Sequence, residues 1–320
     1  MRIAFRWSVR TSCAGIALIG VALSMAAEAR RREAERERAI IEIRTREGHI
    51  NCRWDDCAKE DGTEAAIRPV TSLFWAGENV TDVGLSPLAQ LIDLKRLDLS
   101  YSAITDVGLT HLAALTCLES LTLKETAITD VGLSRLSGLV QITELNLQST
   151  KVKGPGLDSI RSLQALRSLN LCDTPITDAG LIHLRGLTSL REVRLDSTRV
   201  TGPGLVHLCD LPNLERLDVD GNSIDEDGLI PLASFPRLKK FDIGGKALGD
   251  QGLRRLGPSA SIEVLSLDNS SITDRSIPAL KQFPKLRVLN VQQSRLSNAG
   301  IAELHRAFPA LTIHYSTATY

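Results

Sequence analysis

Six cysteines, six histidines and a series of aspartates are the residues of this 320-residue chain whose chemistry could support catalysis or metal binding. The cysteines are Cys13, Cys52, Cys57, Cys117, Cys172 and Cys209. Cys52 and Cys57 are close enough in sequence to bond, and their spacing has no second cysteine pair or histidine set to complete a zinc site. Two readings remain for them, a disulfide if the region is exported or two free thiols. His111, His183 and His207 recur at one position of a repeating pattern, but no carboxylate or cysteine completes a ligand set, so they read as solvated helix histidines. No G-x-S-x-G, P-loop, H-E-x-x-H or dinucleotide fingerprint occurs. The chain reads as a non-enzymatic protein that needs no cofactor and no metal.

The aspartates point to binding instead. Arg194, Asp196, Asp218, Asp220, Asp242 and Asp268 lie between or just after paired apolar residues in successive units. Strands about 4.8 Å apart would stack them into an acidic stripe. One reading is a solvated polar face. The other is a docking surface for a basic peptide or protein loop, with charge steering the encounter. Calcium would need convergent oxygens that a flat sheet rarely supplies.

These residues are positioned by a 24-residue period. Copies begin at Gly84, Gly108, Gly132, Gly156, Gly180, Gly204, Gly228, Gly252 and Ser276, and a truncated copy begins at Gly300. A fixed period of this size is the signature of a solenoid. Pairs such as Leu97/Leu99 and Leu121/Leu123 alternate as a strand requires, whereas Leu85, Leu88 and Leu91 are spaced by three and suit one face of a short helix. The pattern predicts about ten stacked strands spanning roughly 45 Å. Asp82, Asp106, Asp130, Asp178, Asp250 and Asp274 stand where each helix begins and are expected to cap it; where Gly154 or Gly202 replaces Asp, a proline follows. Ser102, Thr126, Thr150, Thr174 and Thr198 follow the strands and are expected to bond backbone groups of the adjacent coil. Gly257-Pro258 is expected to disrupt the helix of its unit.

Composition sets further bounds. Basic and acidic residues balance at 38 each, but residues 1–47 hold ten arginines against six glutamates, so the repeats are acidic. Aromatic residues make up 4%. A repeat array without a basic stripe or stacking aromatics argues against nucleic acid as a partner.

Residues 1–27 carry Arg2, Arg6 and Arg10, then an uncharged run over 11–27. This is a basic region followed by a single-pass membrane anchor or a signal peptide, and the flanking Trp7 favours the anchor. Residues 28–47 are expected to form a charged juxtamembrane helix, 48–69 an N-terminal cap with a strand at His49–Trp54, and 70–320 the repeat domain.

The consensus L-x-x-L-x-L-x-x-[ST]-x-[IV]-T-D-x-G-L resembles the leucine-rich repeat, in the bacterial subclass with Thr where others carry Asn. The order of basic start, apolar segment, charged helix and repeats is similar to single-pass bacterial leucine-rich-repeat proteins. The resemblance implies an α/β horseshoe, with a parallel sheet on its concave face and short helices on its convex face. The expected role is a membrane-anchored interaction scaffold for a protein or peptide; the arginine-rich flank at 30–38 does not favour export, and the signal-like order of the N-terminus places the repeats on the extracytoplasmic side. The alternative is a structural envelope protein that self-associates through its repeats.

Overall fold

The computed structural model describes residues 4–45, 70–226, 228–229 and 232–316, without the side chains of 4–22 and 232. Cys13, Cys52, Cys57 and the expected cap strand at 49–54 therefore lie outside the described residues or side chains.

Eleven three-residue strands form one parallel sheet in sequence order. They are β1 (Ser72–Phe74), β2 (Arg96–Asp98), β3 (Ser120–Thr122), β4 (Glu144–Asn146), β5 (Ser168–Asn170), β6 (Glu192–Arg194), β7 (Arg216–Asp218), β8 (Lys240–Asp242), β9 (Val264–Ser266), β10 (Val288–Asn290) and β11 (Thr312–His314). The degenerate first unit, with Leu73 and Trp75, adds the strand beyond the expected ten. Register advances by one period per strand, so Leu97 faces Leu121 and Leu121 faces Leu145. Alternation turns each central residue inward: Leu73 through Leu289 are at most 3% exposed. A buried leucine contributes roughly 1.5–3 kcal/mol, and only neighbouring coils can cover it. The leucines spaced by three lie on short convex helices, several of them 3-10 in geometry, as at Asp82–Gln90 and Pro155–Ser162. Three residues per turn is the repeat of that helix.

The aspartates do not cap their own helices. The N-cap is the preceding threonine, extended at Thr81, Thr129, Thr177, Thr201 and Thr273. Thr129 Oγ1 accepts from Val131 N–H at 3.2 Å. Asp82, Asp130, Asp178, Asp250 and Asp274 are the first helical residues, Asp106 stands two residues before its helix, and each carboxylate reaches forward to the next coil. Asp106 accepts from Thr129 N–H at 2.8 Å and Thr129 Oγ1 at 2.6 Å. The same pair of bonds joins Asp82 to Thr105, Asp178 to Thr201, Asp250 to Thr273 and Asp274 to Ser297. At Thr129 and Thr273 the threonine hydroxyl already serves the local helix, which leaves the carboxylate free to clamp its neighbour.

This clamp explains the recurrent glycine. A Cβ at Gly108, Gly132, Gly204 or Gly300 would collide with the carboxylate of the preceding coil's aspartate. Ser276 is the exception, and its hydroxyl donates to Asp250 Oδ1 at 2.5 Å.

The hydroxyl series also differs from expectation. Ser102, Thr126, Thr150 and Thr174 bond the carbonyl three residues back in their own coil, at 2.6–2.7 Å. Thr198 bonds its own Leu195 O at 2.9 Å and also reaches Asn222 Oδ1 of the adjacent coil at 2.8 Å. Asn222, with two amide donors, does bridge coils, to Leu195 O at 2.7 Å and Val219 O at 2.9 Å. Gly257 ends its helix rather than disrupting it: Asp250–Leu256 is intact, and Gly257 follows with φ of 66°.

Each concave turn passes through the left-handed region, at Tyr101, Glu125, Ser149, Asp173, Ser197, Asn269 and Gln293. That conformation is costly for a side chain and persists where surroundings enforce it. Here the next coil does so, through bonds such as Tyr101 N–H to Lys124 O at 2.8 Å.

The N-terminal helix α1 spans Ala4–Thr45. Among the described residues no helix is long and apolar enough to cross a membrane. Residues 23–34 are exposed, whereas the last turns bury one face. Ala39 and Ile43 are 4% and 0% exposed, and Ile40 packs on the core beside them, against the helix Asp82–Gln90. Apolar side chains at i, i+1 and i+4 make one face, and that face covers the first coil.

Replacing Asp106 by Ala should remove two charge-assisted bonds and cost roughly 1–3 kcal/mol in urea unfolding. Asp93→Ala, at an exposed site, should stay within about 0.5 kcal/mol.

Candidate functional site

The concave face presents three outward columns, the first and third strand residues and the residue two beyond. The expected acidic stripe divides between two of them. Asp218 and Asp242 are register partners on β7 and β8. Asp196, Asp220 and Asp268 lie two residues past their strands, with Gly244 between the last two. A Cβ at Gly244 would collide first with the backbone oxygen of Asp268 and then with Asp220 Oδ1 at 2.5 Å, so the glycine lets the neighbouring turns approach on both sides.

Asp218 is 3% exposed and is held by arginines. Arg216 Nη2 and Nε lie 2.7 and 2.9 Å from its Oδ2, and Arg194 Nε lies 3.1 Å away. Arg216 also reaches Glu192 at 3.4 Å. The stripe is therefore partly neutralised from within. The sequence reading left Arg216 out, although it stands two residues before Asp218 and so shares its face.

The other carboxylates are half-buried. Asp196 Oδ2 accepts from Cys172 Sγ at 3.0 Å, and its Oδ1 accepts from Asp220 N–H at 3.1 Å. Burial raises the pKa of Asp196 and of Asp268, whose Oδ1 accepts from Gln292 N–H at 2.6 Å. Burial pushes the Cys172 thiol up to about 12, so it stays protonated and is no nucleophile at neutral pH. Asp242 is pushed up to about 6, first by burial and then by the charges of Asp220, Asp218 and Asp196, against a hydrogen bond from Ser266. Its Oδ1 is buried and has no partner among the described residues.

At the other end, Ser72, Phe74, Arg96, Asp98, Ser120 and Thr122 line a shallow groove of about 380 Å³. Phe74 and Tyr101 are 48% and 46% exposed, and Lys124 Nζ sits 5.2 Å from the Tyr101 ring centroid. Strand alternation from Leu73 and Trp75 could have identified Phe74 as outward-facing.

On the convex side His183 Nδ1 lies 3.2 Å from Asp158 Oδ1, whereas the buried His207 Nδ1 has no partner among the described residues. Among the described residues no three His, Cys, Asp or Glu converge on a metal-sized site. Cys117, Cys172 and Cys209 are free thiols.

The sequence matches the leucine-rich repeat region family over residues 73–318, and the chain belongs to that family. Proteins of this family generally serve as interaction scaffolds. Among solved structures, it is similar to an internalin, InlF, from Listeria monocytogenes, with 21% identity and a TM-score of 0.50, over 78% of this chain and 87% of that one. A leucine-rich-repeat protein of Leptospira interrogans matches with 20% identity and a TM-score of 0.53, over 71% of this chain and 62% of that one. At this identity the likeness shows the fold alone. No curated protein matches the chain.

Folding raises the Asp242 pKa from 3.8 to about 6, so the folded chain holds the proton more tightly and loses stability as pH rises through 6. Asp242→Asn should therefore stabilise the chain by roughly 1–2 kcal/mol at pH 7.5, a gain that disappears near pH 4, as read by urea unfolding at both values. Iodoacetamide at pH 8 should label the exposed Cys117 of the folded chain and leave Cys172 unmodified, as read by peptide mass.

Proposed function

We propose that the chain is a non-enzymatic interaction scaffold, held at a membrane by its N-terminal helix, that binds a protein or peptide on the concave face of its repeats. The supporting observation is the outward surface of the eleven-stranded sheet, which carries exposed or half-exposed polar, charged and aromatic side chains. The half-buried carboxylates of Asp196, Asp220, Asp242 and Asp268 favour a basic segment at the C-terminal end of this face, with Arg194 at its edge. Asp218, screened by Arg194 and Arg216, shapes the face. Phe74 and Tyr101 offer aromatic anchors at the opposite end. The uncharged run over 11–27 supports tethering, and the signal-like order of the N-terminus supports repeats on the extracytoplasmic side.

A second reading, self-association, is favoured by one observation. Val83, Val107 and Val131 are 75%, 64% and 67% exposed at the same convex position of consecutive coils. Adjoining exposed apolar side chains mark contact surfaces.

Photo-crosslinkers at Asp220, Asp268 and Val107 of the full chain, in membranes, distinguish the two. Adducts with another protein from the two concave positions support the scaffold, and homodimers from Val107 alone support self-association. For the partner so captured, Asp220→Lys with Asp268→Lys should weaken binding at least tenfold; unchanged affinity would remove the acidic end from the interface. Protease accessibility of intact cells checks the side, and protected repeats would overturn the extracytoplasmic assignment.

A further inference from the structure

At the middle of the concave face two amide side chains share a groove. Asn146 and Asn170 are the third residues of β4 and β5 and are register partners. With Glu144 and Ser168 they line a groove of about 230 Å³. All residues of the strands and turns around it, from β3 to β6, are described.

The backbone sets the orientation of both amides. Gln148 N–H donates to Asn146 Oδ1 at 3.0 Å, and Cys172 N–H donates to Asn170 Oδ1 at 3.0 Å. A backbone N–H can only donate, so each side-chain oxygen faces its own turn and each nitrogen faces away from it. Among the described residues nothing accepts from either Nδ2. Asn170 is 8% exposed, so an unpartnered donor stands on the floor of the groove. Buried polar groups are normally bonded, and an exception points to a ligand.

The spacing selects the acceptor. Register partners on neighbouring strands are about 4.8 Å apart. A carbonyl oxygen accepts two bonds along lone pairs about 120° apart, which places two donors about 5 Å from each other at N···O distances of about 2.9 Å. One oxygen therefore fits between the two amides.

The charges at the groove select what accompanies it. Glu192 is paired with Arg216 at 3.4 Å, and Arg194 with Asp218 at 3.1 Å. Glu144 is bonded by a hydroxyl instead, Ser120 Oγ at 3.0 Å, and meets no cation among the described residues. It precedes Asn146 by two residues on the same strand face, about 6.6 Å away. That carboxylate repels an anion and favours a neutral acceptor that brings a cation with it.

We propose that Asn146 and Asn170 form a two-donor clip for one main-chain carbonyl of a docked protein segment, whose arginine or lysine side chain lies on Glu144. This rests on the concave face being the docking surface and adds what that surface reads. A carbonyl already bonded inside a helix or sheet has one lone pair engaged, so the clip selects loops and extended segments.

Neighbours in the same column show which replacements the fold accepts. Asp98 accepts from Ser100 N–H at 2.9 Å, as Asn146 accepts from Gln148, and Thr122 holds the position in β3. Asn146→Asp keeps the acceptor for its turn and loses the donor. Asn146→Thr removes the amide without adding charge.

The probe is the capped peptide acetyl-Gly-Ser-Arg-Gly-amide, titrated to millimolar concentration into the full chain in detergent micelles. NMR of asparagine labelled with nitrogen-15 reads the binding. The side-chain signals of Asn146 and Asn170 should shift together with one Kd. Norleucine in place of the arginine should weaken binding at least fivefold, as should Asn146→Asp and Asn146→Thr. The added negative charge of Asn146→Asp would tighten docking by charge alone, so the two explanations predict opposite signs. The threonine variant decides the matter if the aspartate variant fails to fold. No shift, a shift at one asparagine alone, equal binding of the norleucine peptide, or unchanged or tighter binding by a folded variant would overturn the clip. Binding that is lost in Asp220→Lys with Asp268→Lys but is indifferent to Asn146 would remove the clip and leave the docking surface in place. Absence of crosslinks from both concave positions would remove the docking surface itself.

Discussion

A carboxylate that serves the next coil rather than its own sets the spacing of this solenoid. Burial of leucines pulls coils together but is non-directional and tolerates sliding. The Asp106–Thr129 pair and its copies are directional, and they fix the convex edge one period at a time. Glycine at the following position is a consequence, since the carboxylate occupies the volume of a Cβ. Asp250 shows the balance of forces: burial opposes its ionisation, yet hydrogen bonds from Ser276 and Thr273 outweigh that and lower its pKa. On the concave edge the same coupling is carried by backbone, through strand pairing and the left-handed turns.

Much of this was legible in the sequence, because a fixed period repeated without gaps constrains every position at once. The inward leucines, the strand register and the convex helices follow from spacing alone. What the aspartates bond to was not legible. A side chain at the start of a helix suggests a cap by local logic, while its partner 23 residues on is found only once coil spacing is known. The left-handed turns were hidden for a related reason: Tyr101, Glu125 and Gln293 do not look like turn residues, and the conformation is imposed by the adjacent coil.

The candidate binding face was legible in outline and not in charge. Alternation places Asp196, Asp218, Asp220, Asp242 and Asp268 on the concave side, but counting aspartates overstated the acidity of the surface. Arg216 and Arg194 converge on Asp218, and burial raises the pKa of Asp242 and Asp196. A row of like charges at strand spacing is unfavourable, and both compensations relieve it.

The docking of α1 on the first coil bears on synthesis. A ribosome makes the chain from its N-terminus, and an open-ended stack presents an apolar cross-section until something covers it. Here Ala39, Ile40 and Ile43 are translated before the leucines they shelter. The first coil therefore has part of its cover already made when its own leucines leave the ribosome.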